Sequence, residues 1–196
     1  MFRYFIFHKP YQVLSQFSAE GDKQTLADYF QDLPKNIYPV GRLDYDSEGL
    51  LLLTDDKQLT HQLLDPKFAH ARTYWVQVER TITEEAAKQL VQGVHINIDG
   101  KKYLTRKAMV SIFSEPPELN ERNPPVRFRK SIPTSWLSLT LTEGKNRQVR
   151  RMTAAVGFPT LRLIRYAIGQ LTLDGLAPGE YKEAGSDVKE LLLVKK

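Results

Sequence analysis

Apolar residues recur along this chain with two periods, and the switching between them lays out the elements. RYFIFHKP alternates Tyr4, Ile6 and His8 with Phe5 and Phe7, as a strand does, and Pro10 ends it. TLADYFQDLP places apolar residues at helical spacing from Leu26 to Phe30 and stops before Pro34, which predicts a short helix. Leu50 to Leu53 form a continuous apolar run, the mark of a buried strand leaving a polar loop. A short helix around Gln58 to Leu64 follows. The pattern then reads strand (TYWVQVE), helix (TEEAAKQLVQG), strand (AMVSIF), strand (SWLSLTL), helix (KNRQVRRMTAAVG) and strand (LRLIRYAIG), the split βαβ order. Thr83, Glu84 and Glu85 suit the start of the first of these helices and Gly93 its end. Between the two middle strands, EPPELNERNPPVRFRKSIPT is too polar and proline-rich to pack and predicts a long loop.

This order implies an α+β fold with a mixed, mainly antiparallel sheet built in two halves and flanked by helices. Residues 1–196 read as one catalytic unit, with 1–69 and 176–196 forming one half and 70–175 the split βαβ, ferredoxin-like half. A chain of 196 residues with 41% hydrophobic and 26% charged side chains has the composition of a soluble globular protein able to bury a core. The absence of cysteine excludes disulfides, thiolate nucleophiles and cysteine-ligated metals. The opening MFRYFIFHKP has no cleavage signal, and no apolar window approaches about 18 residues, so a cytoplasmic protein without a membrane span is expected. A monomer is the default expectation.

Charge changes the picture through its distribution. Residues 121–170 hold Arg122, Arg127, Arg129, Lys130, Lys145, Arg147, Arg150, Arg151, Arg162 and Arg165 against only Glu121 and Glu143, a local balance of +8 in a chain of net charge +5. Arginine dominates, which suits bidentate phosphate contacts and base stacking. A solvated face or a set of ion pairs would produce the same count, so charge alone does not decide for a polyanion.

The candidate chemistry lies just before the apolar run. Gly41-Arg42-Leu43-Asp44-Tyr45-Asp46-Ser47-Glu48-Gly49 packs three carboxylates into five residues. In an extended segment these would face one side, where mutual repulsion opposes full ionisation unless cations lie close. An isolated Asp-x-Ser is more often a turn whose side chains cap backbone groups.

GRLDYDSEGLLLLTDD resembles the catalytic signature of the RsuA branch of pseudouridine synthases, in which the aspartate of G-R-L-D is essential. The resemblance continues, in the expected order, through HKPYQVL (8–14), RTYWVQVE (72–79) and EGKNRQVRRMTAAVGFPTLRLIRYAIG (143–169), and so spans most of the chain. RKSIPTSWL and the GFPTLRLIRYAIG block resemble branch members that act on the large ribosomal subunit. The likeness implies the pseudouridine synthase fold, with no S4-type domain ahead of the H-K-P block. RNA capture would then rest on the catalytic unit's own basic surface.

The resemblance also assigns roles. Asp44 becomes the catalytic carboxylate, Arg150 of Gln148-Val149-Arg150 its cationic partner, and Tyr74 the ring on which the detached uracil stacks. Trp75 points to the opposite face and reads as core. Arg42 is placed to fill the gap left by a flipped uridine or to hold its phosphate. Lys9, Arg129, Lys130, Lys145, Arg147 and Arg165 complete the expected RNA contacts, Lys9 chiefly shaping the pocket edge. Leu163 or Ile164 would wall the base, although strand residues of this kind are usually core.

Breaking the N1 glycosidic bond, turning the uracil and joining C5 to the same sugar carbon needs no redox change, so no cofactor is required. No metal is expected, because His8, His61, His70 and His95 are scattered. The expected partner is ribosomal RNA, 23S foremost, modified in the peptidyl-transferase domain. The alternatives are a synthase for 16S rRNA or tRNA, or a non-catalytic RNA-binding assembly factor that keeps the fold.

Overall fold

In a computed structural model of the chain, residues 2–127, 129, 131–185 and 187–193 are described. Two compact units emerge: Met1–His70 with the chain from Ile164 onward, and Ala71–Leu163.

The first unit begins with β1 (Tyr4–Lys9), β2 (Val13–Leu14), β3 (Gln24–Thr25), β4 (Tyr38–Pro39), β5 (Glu48–Thr54) and α1 (Lys57–Leu64). Every residue of β1 and β5 is buried, so both faces are covered and the alternation in RYFIFHKP separates two interiors rather than core from solvent. Phe5, Phe7, Leu51 and Leu53 pack on one face with Leu26, Phe30 and Ile37. The helix expected from Leu26 to Phe30 is a single 3-10 turn, Leu26–Asp28. A capping box between Thr25 and Asp28 closes it, and Tyr29 and Phe30 both donate to the Leu26 carbonyl.

The second unit contains β6 (Arg72–Glu79), α2 (Glu84–Gln92), β7 (His95–Ile98), β8 (Lys101–Leu104), β9 (Met109–Ile112), β10 (Thr134–Leu141), α3 (Gln148–Ala155) and the start of β11 (Thr160–Ile168). Its strand order, β11-β6-β10-β9, is that of the split βαβ arrangement, as the sequence predicts. Val76, Val78, Leu137 and Leu139 face Ala86 and Leu90 of α2 and Val149 and Met152 of α3. Thr83 caps α2 through the Ala86 N–H, as expected. The β7–β8 hairpin is an addition that the sequence reading passed over. Its signal was present: Asp99-Gly100 at positive φ, 50° and 79°, between two alternating segments.

The chain returns to the first unit within β11, followed by β12 (Leu171–Thr172), β13 (Tyr181–Ala184) and α4 (Val188–Leu193). The boundary expected near residue 176 thus falls at Ile164, because the later part of β11 pairs with β5: Ile164 opposite Glu48 and Arg165 opposite Gly49, in parallel. β13 and β5 flank β1 antiparallel, and β4 takes the far end of the β5 edge that β11 uses. The architecture is α+β with a mixed, mainly antiparallel set of strands. No helix among the described residues is long and apolar enough to cross a membrane.

One buried carboxylate ties the C-terminal helix into this unit. Asp56 caps α1 through the Leu59 N–H and accepts from the Tyr4 hydroxyl at 2.9 Å, while the Lys189 ammonium lies 2.5 Å away. Burial works to raise its pKa, but the Leu59 N–H, Lys189 and Tyr4 outweigh it and hold the carboxyl below its usual 3.8. A depressed carboxylate pKa contributes stability above the unfolded value and loses it as pH falls through the folded one. Asp56→Asn is therefore expected to lower stability at pH 7 by about 1–2 kcal/mol, a figure discounted because Lys189 is partly exposed. Thermal melts should show the gap from wild type closing as pH drops below 3.8; a constant gap would contradict this account.

Candidate active site

Asp44 is set on a loop that leaves the β5 edge and returns into the same strand. Val40 still donates to the Leu52 carbonyl at 2.7 Å, and Gly41, at φ +72°, turns the chain away. Three backbone ties then fix the residues around Asp44. The Ser15 hydroxyl accepts from the Leu43 N–H at 3.0 Å and donates to the Leu43 carbonyl at 2.9 Å, satisfying both backbone groups of one residue. Gln12 donates its N–H to the Tyr45 carbonyl at 2.8 Å, and Ser47 donates back to the Asp44 carbonyl at 3.0 Å. The segment is thus a turn rather than the extended run in which all three acids would share a side. Leu43 is buried, Asp44 and Asp46 are half-buried, Glu48 is buried at the start of β5, and Arg42 is exposed.

Beneath the loop lie two buried cations. The Lys9 ammonium, with 0% of the residue exposed, donates to the Pro10 and Val13 carbonyls at 2.8 and 2.7 Å. Burial pushes its pKa down to about 7; Glu48, Asp46 and Asp44 pull it back up, and Arg165 adds to the depression. Arg165, also buried, donates from Nε to the Leu50 carbonyl at 2.8 Å, between the part of β5 that pairs with β11 and the part that pairs with β4. Both were among the expected RNA contacts, Lys9 chiefly as the pocket edge, and the structure buries both. Their charged ends face inward, Lys9 to loop carbonyls beside the acidic segment and Arg165 to the β5 backbone. Lysine and arginine identity signals charge but not burial, so the sequence offered no way to separate them from surface cations.

In the second unit Tyr74 is half-buried on β6, opposite Leu139, on the face that carries Val76 and Val78 and at the margin of that core. Trp75 is on the other face against Phe113, with ring centroids 5.5 Å apart, so the core lies on the tyrosine's side and not the tryptophan's. Leu163 belongs to the core of this unit and Ile164 is fully buried.

The helix expected to open near Lys145 begins at Gln148. Arg147 precedes it in the left-handed region, at φ 50°, and offers no side-chain cap. The Gln148 amide instead accepts from the Lys145 N–H at 2.9 Å and donates to Glu143 at 2.6 Å, which shapes the approach to the helix. Lys145 and Arg147 are exposed and Arg150 is half-buried one turn in. Arg151 bonds the Asn97 carbonyl and the Asn146 side chain. Arg129 pairs with Glu79 at 3.3 Å, and Lys130 lies outside the described residues. No group of three acidic or histidine side chains suited to a metal ion occurs among the described residues.

A clamped, half-exposed aspartate over buried cations, on this pairing of folds, defines a class. The family described as RNA pseudouridylate synthase matches residues 3–155, and the chain belongs to that family. Within it, the chain is 54% identical to ribosomal large subunit pseudouridine synthase E of Vibrio vulnificus, over 91% of its own length and 73% of the relative's. It is also 54% identical to the enzyme of the same name from Xanthomonas axonopodis pv. citri, over 88% of this chain and 89% of that one. A crystal structure of a pseudouridylate synthase matches 98% of this chain and 74% of its own, with a TM-score of 0.80 at 30% identity. The protein is an RNA pseudouridine synthase with the pseudouridine synthase fold.

Proposed function

We propose that this enzyme converts uridine to pseudouridine in 23S rRNA, with Asp44 as the catalytic carboxylate, Arg150 as its cationic partner and Tyr74 as the plate that holds the detached uracil. The observation that supports the assignment of Asp44 is its clamp: the backbone on either side is tied by Ser15, Gln12 and Ser47, which holds a half-buried carboxylate in place beside the buried Lys9 ammonium. Fixed geometry of this kind is what a group acting at a sugar or base requires. Exposed Arg42, two residues away, suits a contact to the flipped nucleotide. The preference for the large-subunit RNA rests on the relatives named for that subunit.

In the reaction the N1–C1′ bond breaks, the C1′–C5 bond forms, the C5 hydrogen is lost to water and N1 regains a proton. Release of tritium from C5-labelled uridine therefore reports turnover directly. The expected result is release from a 23S transcript and none from 16S or tRNA transcripts. Release from 16S or tRNA instead would reassign the substrate, and binding without release from any transcript would favour an assembly factor that retains the fold.

A further inference from the structure

The β7–β8 hairpin, which the mechanism does not use, carries Lys101, Lys102, Arg106 and Lys107 at or just beyond its end, all exposed. Two independent ties join it to the 143–148 loop and α3. Glu143, 6% exposed, accepts from the Tyr103 hydroxyl at 2.5 Å, from the Arg106 N–H at 2.8 Å and from the Gln148 amide at 2.6 Å. Arg151 of α3 reaches across to the Asn97 carbonyl of β7. The Lys145 ammonium stands 5.0 Å from the centroid of the Tyr103 ring, and on β8 Lys101 shares a face with that tyrosine. Two separate stretches of sequence are thereby locked into one body.

Its charge is not spent internally. Glu143 is buried and bonded by its three donors, and among the described residues Arg106 alone lies within ion-pair distance of it, at 3.9 Å. Among the described residues no carboxylate pairs with Lys101, Lys102 or Lys145. Desolvating Glu143 costs free energy that the hairpin does not need for its own backbone pairing. What the buried acid does achieve is to fix the surrounding cations in place while adding little negative potential at the surface.

We infer that the β7–β8 hairpin and the 143–148 loop form a rigid cationic platform for the sugar-phosphate backbone of the RNA, separate from the groups that handle the target uridine. This rests on the RNA-acting identity of the family and not on which RNA is modified. Phosphate neutralisation releases counterions, so each contact removed flattens the salt dependence of binding. The test is binding of a fluorescein-labelled RNA hairpin to the full chain by anisotropy, across about 50 to 200 mM salt. The triple variant Lys101→Gln, Arg106→Gln, Lys145→Gln is expected to reduce the log–log salt slope by about 2 and weaken binding at least about tenfold at the low-salt end. Lys101→Glu with Lys102→Glu, which touches neither tie, serves as a second variant and should weaken binding by a similar factor. A slope and affinity within twofold of wild type in the folded second variant would overturn the inference. The assay uses no chemistry, so wild-type binding without tritium release would count against the proposed reaction while leaving the platform standing.

Discussion

Asp44→Asn is expected to lower tritium release by about 10⁴-fold or more while leaving RNA affinity within twofold of wild type. The substitution keeps the size of the side chain and removes its charge. The ties described for the loop run through backbone groups and the Ser15 hydroxyl: Ser15 holds Leu43, Gln12 holds the Tyr45 carbonyl, and Ser47 bonds the Asp44 carbonyl through the backbone. The melting temperature should accordingly stay close to wild type, which separates loss of chemistry from loss of fold. Single-turnover release measured beside anisotropy binding decides the matter. Retained release would remove Asp44 from the chemistry, and parallel loss of binding and stability would make it a structural residue.

The second large effect is on folding. Gly49 lies opposite Arg165 with φ +112°, and a Cβ there would stand 2.4 Å from the Arg165 carbonyl oxygen and 2.6 Å from its nitrogen. Both obstacles are backbone atoms in a paired strand, so no rotamer change relieves them. Gly49→Ala therefore combines a forbidden backbone conformation, about 1–3 kcal/mol, with overpacking of similar size, about 1–3 kcal/mol. A loss of about 2–6 kcal/mol, at about 2–4 °C per kcal/mol in a chain of this size, corresponds to a melt lowered by roughly 5–20 °C. The same change at Gly144, where a Cβ meets nothing within 4 Å, should leave the melt unaltered. Circular dichroism melts of the two variants side by side make the comparison; an unshifted Gly49→Ala melt would mean that β5 and β11 do not approach as closely as described.

Much of this could be read from the chain because the driving patterns are local. The apolar run Leu50–Leu53, the helix signals at Thr83 and Gly93, and the β-α-β-β-α-β order each depend on neighbours a few residues apart. Asp44 was legible only through resemblance to a family, since spacing by itself left a capping turn as the better reading. What escaped was non-local. Ser15 bonds a residue 28 positions away, which no periodicity announces. Lys9 and Arg165 look like surface cations until the sheet buries them, and the face of β6 that meets the core is chosen by helices lying elsewhere in sequence. The hairpin was missed for a different reason: its strands are short and half polar, and only the Asp99-Gly100 turn betrays them.

The division of the chain also bears on its synthesis. The second unit is one continuous stretch, Ala71–Leu163, whereas the first is assembled from the segments on either side of it. While the chain emerges from the exit tunnel, β5 has β1 beside it but lacks β11, and β1 lacks β13. The middle of the protein can close as soon as it is made. The strand that enters from Asp44, and the arginine that satisfies the Leu50 carbonyl, must wait for residues made after it. A nascent chain thus lacks a finished Asp44 loop until β11 and β13 have been made, so the order of synthesis sets when the first unit can close.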